Sequence, residues 1–351
     1  MTQRACMSGV LLTGRDQFET VRRPDRMPRP HPGPGEVLIQ ILATGVSASD
    51  INTRKGWSAE SGPPETAGWP GLIQFPQLQG PDLCGRVVKL GEGVTEPQIG
   101  ARVLCPTGLA APTEANPMAM RAIGSEYDRA LTELGIVPAK HLRDVSSTVL
   151  TDLETDAMHR AYGTAHGLLS RAGVRRGEKI LITDASGSVG MAAVRLARLR
   201  GARVTGQCRA EKADAVLAAG AVTILARDRN PAANSFAVVI DVVGGAGWSK
   251  RLGALRPGGR YAVSGAVAGP MVEGDLRRVY LNDLTLFGRA SQSREIFPGL
   301  VTIINTGGLP PPASRTYPQR DISKAAVGPM ADTSTRLSKL FRAPNERIDN
   351  G

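Results

Sequence analysis

The 351-residue sequence predicts an α/β chain in which a doubly wound parallel sheet stands beside a smaller β-rich lobe. Three observations predict it. Between about 146 and 290, short apolar runs alternate with helical segments, and repeated βα units close into a parallel sheet with right-handed crossovers. Residues 34 to 105 are strand and turn in character instead. At the centre of the chain, "ILITDASGSVGMAAVRLARLRGARVTG", from Ile180 to Gly206, reads strand, tight turn, helix, strand. The length exceeds the usual reach of one hydrophobic core, which favours two lobes.

In the β-rich part, "PGEVLIQILATGVSASD" is a β-rich run and "LCGRVVKLGEGV" is a strand running into a glycine turn. Residues 56 to 71, rich in Gly and Pro, and 106 to 118 read as long surface loops of the kind that shape a substrate entrance. In the second half, strands are predicted at 180–183, 203–205, 223–225, 237–241 and 260–264, with a helix after the central turn whose apolar face is Met191, Val194, Leu196, Ala197 and Leu199. The last sixty residues are less regular, and no internal repeat occurs.

Composition narrows the function. Hydrophobic content of 41% and charged content of 21% suit a folded globular chain. No run of 18 apolar residues occurs, and the apolar stretch near the start is too short for a signal peptide, so a cytoplasmic protein with no membrane partner is expected. Cys6, Cys84, Cys105 and Cys208 are widely spaced without a CxxC and read as reduced thiols. The net charge of +11 is spread rather than gathered in a stripe, and aromatics make up 4%, so nucleic acid is not expected as a partner. A basic surface does favour anionic cofactors.

The central turn carries the sharpest signal. Gly187 and Gly190 lack a Cβ, which lets the backbone amides of Ser186, Gly187, Ser188, Val189 and Gly190, at the positive end of a helix, approach a pyrophosphate. Asp184 is the awkward residue, because a carboxylate there repels a pyrophosphate by about a kcal/mol or more. Three outcomes stay open: the side chain points away and caps local amides, it pairs with an arginine, or binding is lost. At the end of the second strand, an acid would bind a free ribose 2′-hydroxyl and repel a 2′-phosphate. Cys208 and Arg209 stand there, followed by Lys212 and Arg227, a set that favours NADPH.

Taken together, "GPGEVLIQILATGVSASDINTRKGW", "LQGPDLCGRVVKLGEGV", "GARVLCP", "DASGSVG", "DVVGG", "LRPGGRYAVSGAVAG" and "LNDLTLFG" resemble the medium-chain dehydrogenase/reductase family, in particular its quinone-oxidoreductase-like members. The resemblance implies a GroES-like substrate domain over 1–145, a Rossmann dinucleotide-binding domain over 146–290, a return to the GroES-like domain over 291–351, and an active site in the cleft between them. It also implies a homodimer formed through the edge strand near 260–290. It places Thr164, Val243, Gly265, Ala266 and Phe287 at the cofactor, and Ser47, Asp50, Asn52 and Lys55 on the substrate-side loop; Asp50 is equally readable as a turn or capping residue. Short-chain dehydrogenases are opposed by the glycine spacing and by the lack of a Tyr followed four residues later by Lys.

The departures from that family are informative. Where zinc-dependent members carry Cys, His and Cys, this sequence has Ser47, Pro81 and Arg160, so no catalytic zinc is expected. Without a Lewis acid, hydride transfer from NADPH to a quinone, enone or related activated carbonyl compound is the expected reaction, since hydrogen bonds alone can stabilise an enolate or quinol oxyanion. Arg160 either meets an anionic substrate group or developing oxyanion, or forms a buried ion pair with Asp82. His159, Tyr162 and His166 share a helical face, read either as packing or as an acid-base cluster with Tyr162 as the proton donor. Two other functions stay open: a ketone or aldehyde reductase using Arg160 and Tyr162, and a non-redox nucleotide-binding member.

Overall fold

A computed structural model describes residues 6–9, 11–13, 21–22, 27–46, 77–78, 83–106, 108–110, 113–114, 120–122, 132–289, 296–312, 314–318 and 338–342. The chain divides into two compact units, one comprising Met1–His159 with Phe297–Gly351 and the other Arg160–Ile296. Among the described residues no helix is long and apolar enough to cross a membrane.

The first unit is built on a mostly antiparallel sheet. Glu36–Val46 is its longest strand and pairs with Cys84–Leu90 on one side and with Leu134–Pro138 and Ser338–Arg342 on the other. Strands Arg102–Leu104 and Arg143–Asp144 extend the first side, and Ser314–Pro318 lies parallel to Ser338–Arg342. Alternation places Val37, Ile39 and Ile41 inward, where they pack with Leu83, Val87, Val103, Cys105, Val137 and Leu142. Within the predicted loop 106–118, Gly108–Ala110 is a strand that pairs antiparallel with Met120–Ala122.

The second unit is a six-stranded parallel sheet. Its strands, numbered along the chain, are β1 (Lys179–Ile182), β2 (Arg203–Cys208), β3 (Thr223–Ala226), β4 (Phe236–Asp241), β5 (Leu255–Val263) and β6 (Thr285–Gly288). They lie in the order β3-β2-β1-β4-β5-β6, every pair parallel. The chain direction of the winding reverses between β1 and β4, the place where loops at the carboxyl ends diverge and leave a crevice. β4 is buried along its whole length, as its run of apolar residues requires of a strand covered on both faces. Leu181, Phe236, Val239, Leu252, Ala254, Leu255 and Tyr261 form a core there.

Helices α1 (Asp152–Arg171) and α2 (Ser188–Leu199) carry much of the site, and α3 (Ala213–Ala219), α4 (Trp248–Gly253), α5 (Leu276–Tyr280) and α6 (Ile296–Thr306) follow. The buried face of α2 is Gly190, Ala192, Ala193, Val194, Leu196 and Ala197, whereas Leu199 is 64% exposed. Val194, Leu196 and Ala197 of the predicted face are buried, Met191 is half-buried and Leu199 faces out, while Gly190, Ala192 and Ala193 join the buried side. β5 begins at Leu255, before the predicted 260, because the Pro257-Gly258-Gly259 stretch that reads as a turn is carried within the strand. α6 was hidden by Pro298 and Gly299, yet a proline in the first turn costs a helix no hydrogen bond.

Candidate functional site

Because all six strands are parallel, their carboxyl ends lie along one edge of the sheet. The sequence-predicted cofactor residues of the second unit gather at that edge. Ser186, Gly187, Ser188, Val189 and Gly190 follow β1; Cys208 ends β2, with Arg209 and Lys212 in the 3-10 turn behind it; Arg227 follows β3; Val243 follows β4; Gly265 and Ala266 follow β5; and Phe287 lies near the end of β6. Thr164 is half-buried on α1.

The turn after β1 is shaped by Asp184. Its φ of 46° is in the left-handed region, which aspartate tolerates better than most side chains. Its carbonyl accepts the Gly187 N–H at 2.8 Å. The same carbonyl fills the space that a Cβ on Gly190 would need, and its carboxylate fills the space beside Gly187. Both glycines are thus demanded by the path of the turn. Asp184 lies against the mouth of α2 instead of turning away from it. Gly187 is the N-cap of α2 and no acid follows in the helix's first turn, so the positive end of a twelve-residue helix, with the Asp184 carboxylate beside Gly187, opens at this turn.

At the end of β2, Cys208 is 3% exposed, and burial, with Glu211 and Asp184 adding, pushes its thiol above its ordinary pKa. Arg209 is half-buried and lies 3.9 Å from Glu211, while Arg227 is exposed. Gln207 reaches across to the Arg227 and Arg229 carbonyls at 3.4 and 3.0 Å, tying the ends of β2 and β3 together.

A buried network joins the turn after β1 to the loop after β4, and sequence reasoning missed it. Asp241, at the end of β4, is fully buried. Its Oδ1 accepts from Thr183 Oγ1 at 2.8 Å and from the Val243 and Gly244 amides at 2.9 and 3.2 Å. Its Oδ2 accepts from Arg251 Nε at 3.1 Å and from the Tyr261 hydroxyl at 2.5 Å. Thr183 Oγ1 in turn accepts the Val242 N–H at 3.0 Å, and Arg251 Nη2 donates to the Gly244 carbonyl at 2.5 Å. Burial, with the Asp241 charge adding, drives the Tyr261 hydroxyl far above its ordinary pKa, so it stays a donor. The signal was present: an acid closing the apolar strand FAVVID must be paired inside. The next loop is fixed onto this one, with Ala268 N–H on the Val243 carbonyl and Gly245 N–H on that of Gly269.

On α1 the predicted helical face exists, and its members divide. Tyr162 requires a correction: it is wholly buried and its oxygen accepts from Arg195 Nη1 at 3.0 Å, so it ties α1 to α2 and is not presented as a proton donor in a cleft. Burial raises its pKa, with the Arg195 hydrogen bond opposing. His159 is buried edge-on against Phe297, ring centroids 5.4 Å apart, as packing requires. Arg160 is half-buried, one turn before Thr164. Ser47, Asp50, Asn52, Lys55, Pro81 and Asp82 lie outside the described residues, and with them the Arg160–Asp82 pair.

The sequence matches two family models, the alcohol dehydrogenase GroES-like domain over residues 33–147 and the zinc-binding dehydrogenase domain over 188–306. It is also 32% identical to a solved protein from Sinorhizobium meliloti, provisionally described as an alcohol dehydrogenase, with a TM-score of 0.86 over 97% of each chain. The chain belongs to the medium-chain dehydrogenase/reductase superfamily. Among other members it is 27% identical over 331 residues to acryloyl-coenzyme A reductase of Metallosphaera sedula, covering 91% of this chain and 95% of that protein. A thermostable alcohol dehydrogenase from Pyrobaculum aerophilum is 28% identical with a TM-score of 0.81, over 96% of this chain and 99% of that one. The GroES-like and Rossmann-type parallel-sheet architecture expected from the sequence is thereby established.

Proposed function

We propose that this member of the superfamily is an NADPH-dependent, zinc-independent reductase that delivers hydride to an alkene or quinone activated by a conjugated carbonyl. The observation that carries the reading is Arg160: a guanidinium stands at the position given to a metal ligand in zinc-bearing relatives. It has no lone pair to offer a metal, but it can stabilise an oxyanion. Ser47 and Pro81 at the other two positions complete a donor set that does not fit catalytic zinc, although the domain model is named for it. The likeness to an acryloyl-coenzyme A reductase over 91% of the chain supports an alkene conjugated to a thioester as one such substrate.

The residues present fit a phosphorylated nicotinamide dinucleotide. The Gly187–Gly190 turn at the mouth of α2 would hold the pyrophosphate, and Arg209, Lys212 and Arg227, after the carboxyl ends of β2 and β3, would meet the 2′-phosphate of the adenosine ribose. When bound, NADPH supplies the hydride. The Asp241 network holds the turn after β1 and the loop after β4 in fixed positions, so the cradle is organised before the ligand arrives. Arg160 offsets the negative charge that appears on the carbonyl oxygen, a role that needs no metal.

Arg209→Ala tests the cofactor assignment. Losing a charge-assisted contact to the 2′-phosphate costs about 1.5–3 kcal/mol, so the NADPH-over-NADH preference, measured as a ratio of kcat/KM, is expected to fall about 10- to 100-fold. The reaction class is tested by following NADPH oxidation with acryloyl-coenzyme A, simple enones, quinones, ketones and aldehydes, before and after a strong zinc chelator. Turnover of the conjugated acceptors that survives chelation is expected. Loss of activity on chelation overturns zinc independence. Turnover of saturated ketones alone supports the simple carbonyl-reductase reading, and NADPH binding with no oxidation supports a non-redox nucleotide-binding protein.

A further inference from the structure

We propose that Arg289 anchors a binding site for a phosphate-type oxyanion against α1, separate from the dinucleotide turn. Arg289 follows β6 directly and is held by its own N–H on the Val263 carbonyl at 2.9 Å. Its guanidinium lies on Gly167 of α1 so closely that any Cβ at that position would coincide with it. The glycine is a slot cut for this side chain.

The surroundings are positive. Arg289 is only 8% exposed, and its Nη2 is buried with no hydrogen-bond partner among the described residues. Burial, with Arg171 on the same helix adding, lowers its pKa to about 10. His166, beside Gly167, has a buried Nδ1 that is also without a partner among the described residues. Burial first, then Arg200 and Arg289, hold its imidazole down to about 4, so it is neutral at physiological pH. Arg200 spends one donor on Ser170 Oγ at 2.8 Å. Among the described residues, no carboxylate acts on His166, Arg200 or Arg289.

Buried donors are nearly always paired, and a buried guanidinium without an acid is the rarer case still. A planar fork of N–H groups is matched by an oxyanion that can take two hydrogen bonds at once, and a phosphate brings the charge to balance more than one cation. The same chemistry serves a free phosphate ion and a phosphate carried on a larger ligand.

The test uses the full chain with nitrogen-15-labelled histidine, the His166 ring signals being assigned by their loss in His166→Gln. Inorganic phosphate is titrated at constant ionic strength and mildly acid pH. An anion beside the imidazole favours its protonated form, so saturable movement of the ring shifts is expected, equivalent to a rise in pKa of about one unit or more. Arg289→Met is expected to remove that response while leaving the NADPH fluorescence titration unchanged, which separates this site from the dinucleotide turn. Should that variant not fold, Arg289→Lys, which keeps the charge without the fork, is expected to weaken the response about tenfold. A second arm with coenzyme A distinguishes the sources: saturation at about tenfold lower concentration than inorganic phosphate assigns the anion to a larger ligand, and equal or weaker response assigns a free ion. A wild-type His166 signal that moves with neither probe, or a response that survives unchanged in Arg289→Met, overturns the proposal.

Discussion

Gly190→Ala is expected to lose NADPH affinity by tenfold or more and to destabilise the fold by about 1–3 kcal/mol, the usual cost of forcing an extra methyl into a filled space. The methyl has nowhere to go. The Asp184 carbonyl stands in its place and the Ala185 Cα is close behind, both of them backbone, so either α2 moves off β1 or the turn opens. Either displacement shifts the Ser188 to Gly190 amides away from the proposed pyrophosphate position. Urea unfolding and an NADPH fluorescence titration on the same preparation check both halves. Native affinity in the alanine variant would show that the phosphate is gripped elsewhere.

Asp241→Ala is expected to cost about 3–5 kcal/mol, because it removes the only carboxylate paired with Arg251 among the described residues and leaves that arginine as an uncompensated buried charge. It also strips acceptors from the Val243 and Gly244 amides, the Thr183 hydroxyl and the Tyr261 hydroxyl. Asp241→Asn keeps one acceptor oxygen and most of the volume, and its loss should be clearly smaller. Equilibrium unfolding in urea measures both. A pair of variants that unfold together at the wild-type midpoint would mean the network is ornamental to stability.

The parallel sheet was legible because its signals are local: apolar runs of strand length, a glycine turn after the first of them, and helical spacing between. That the residues expected at the cofactor share one edge of the sheet was legible for the same reason, since residues that follow parallel strands must share one end of it. What could not be read depended on partners far apart in the chain. Nothing around Gly167 marks it as the seat of Arg289, and Tyr162 looks like an available hydroxyl until Arg195 is seen to occupy it. Asp184 looked like an error in a glycine turn, yet its left-handed backbone and the two glycines fit each other as a set.

The strand order also governs how the chain can be made. β1, innermost of the early strands, takes β4 as its second neighbour, and the Thr183–Asp241 bond that locks them spans 58 residues. A nascent chain emerging from the ribosome thus carries one side of β1 unpaired until β4 has been synthesised, and contacts this remote in sequence close slowly. The joined turn after β1 and loop after β4 are consequently a late product of folding, and the stretch between them is where a chaperone has most to shield.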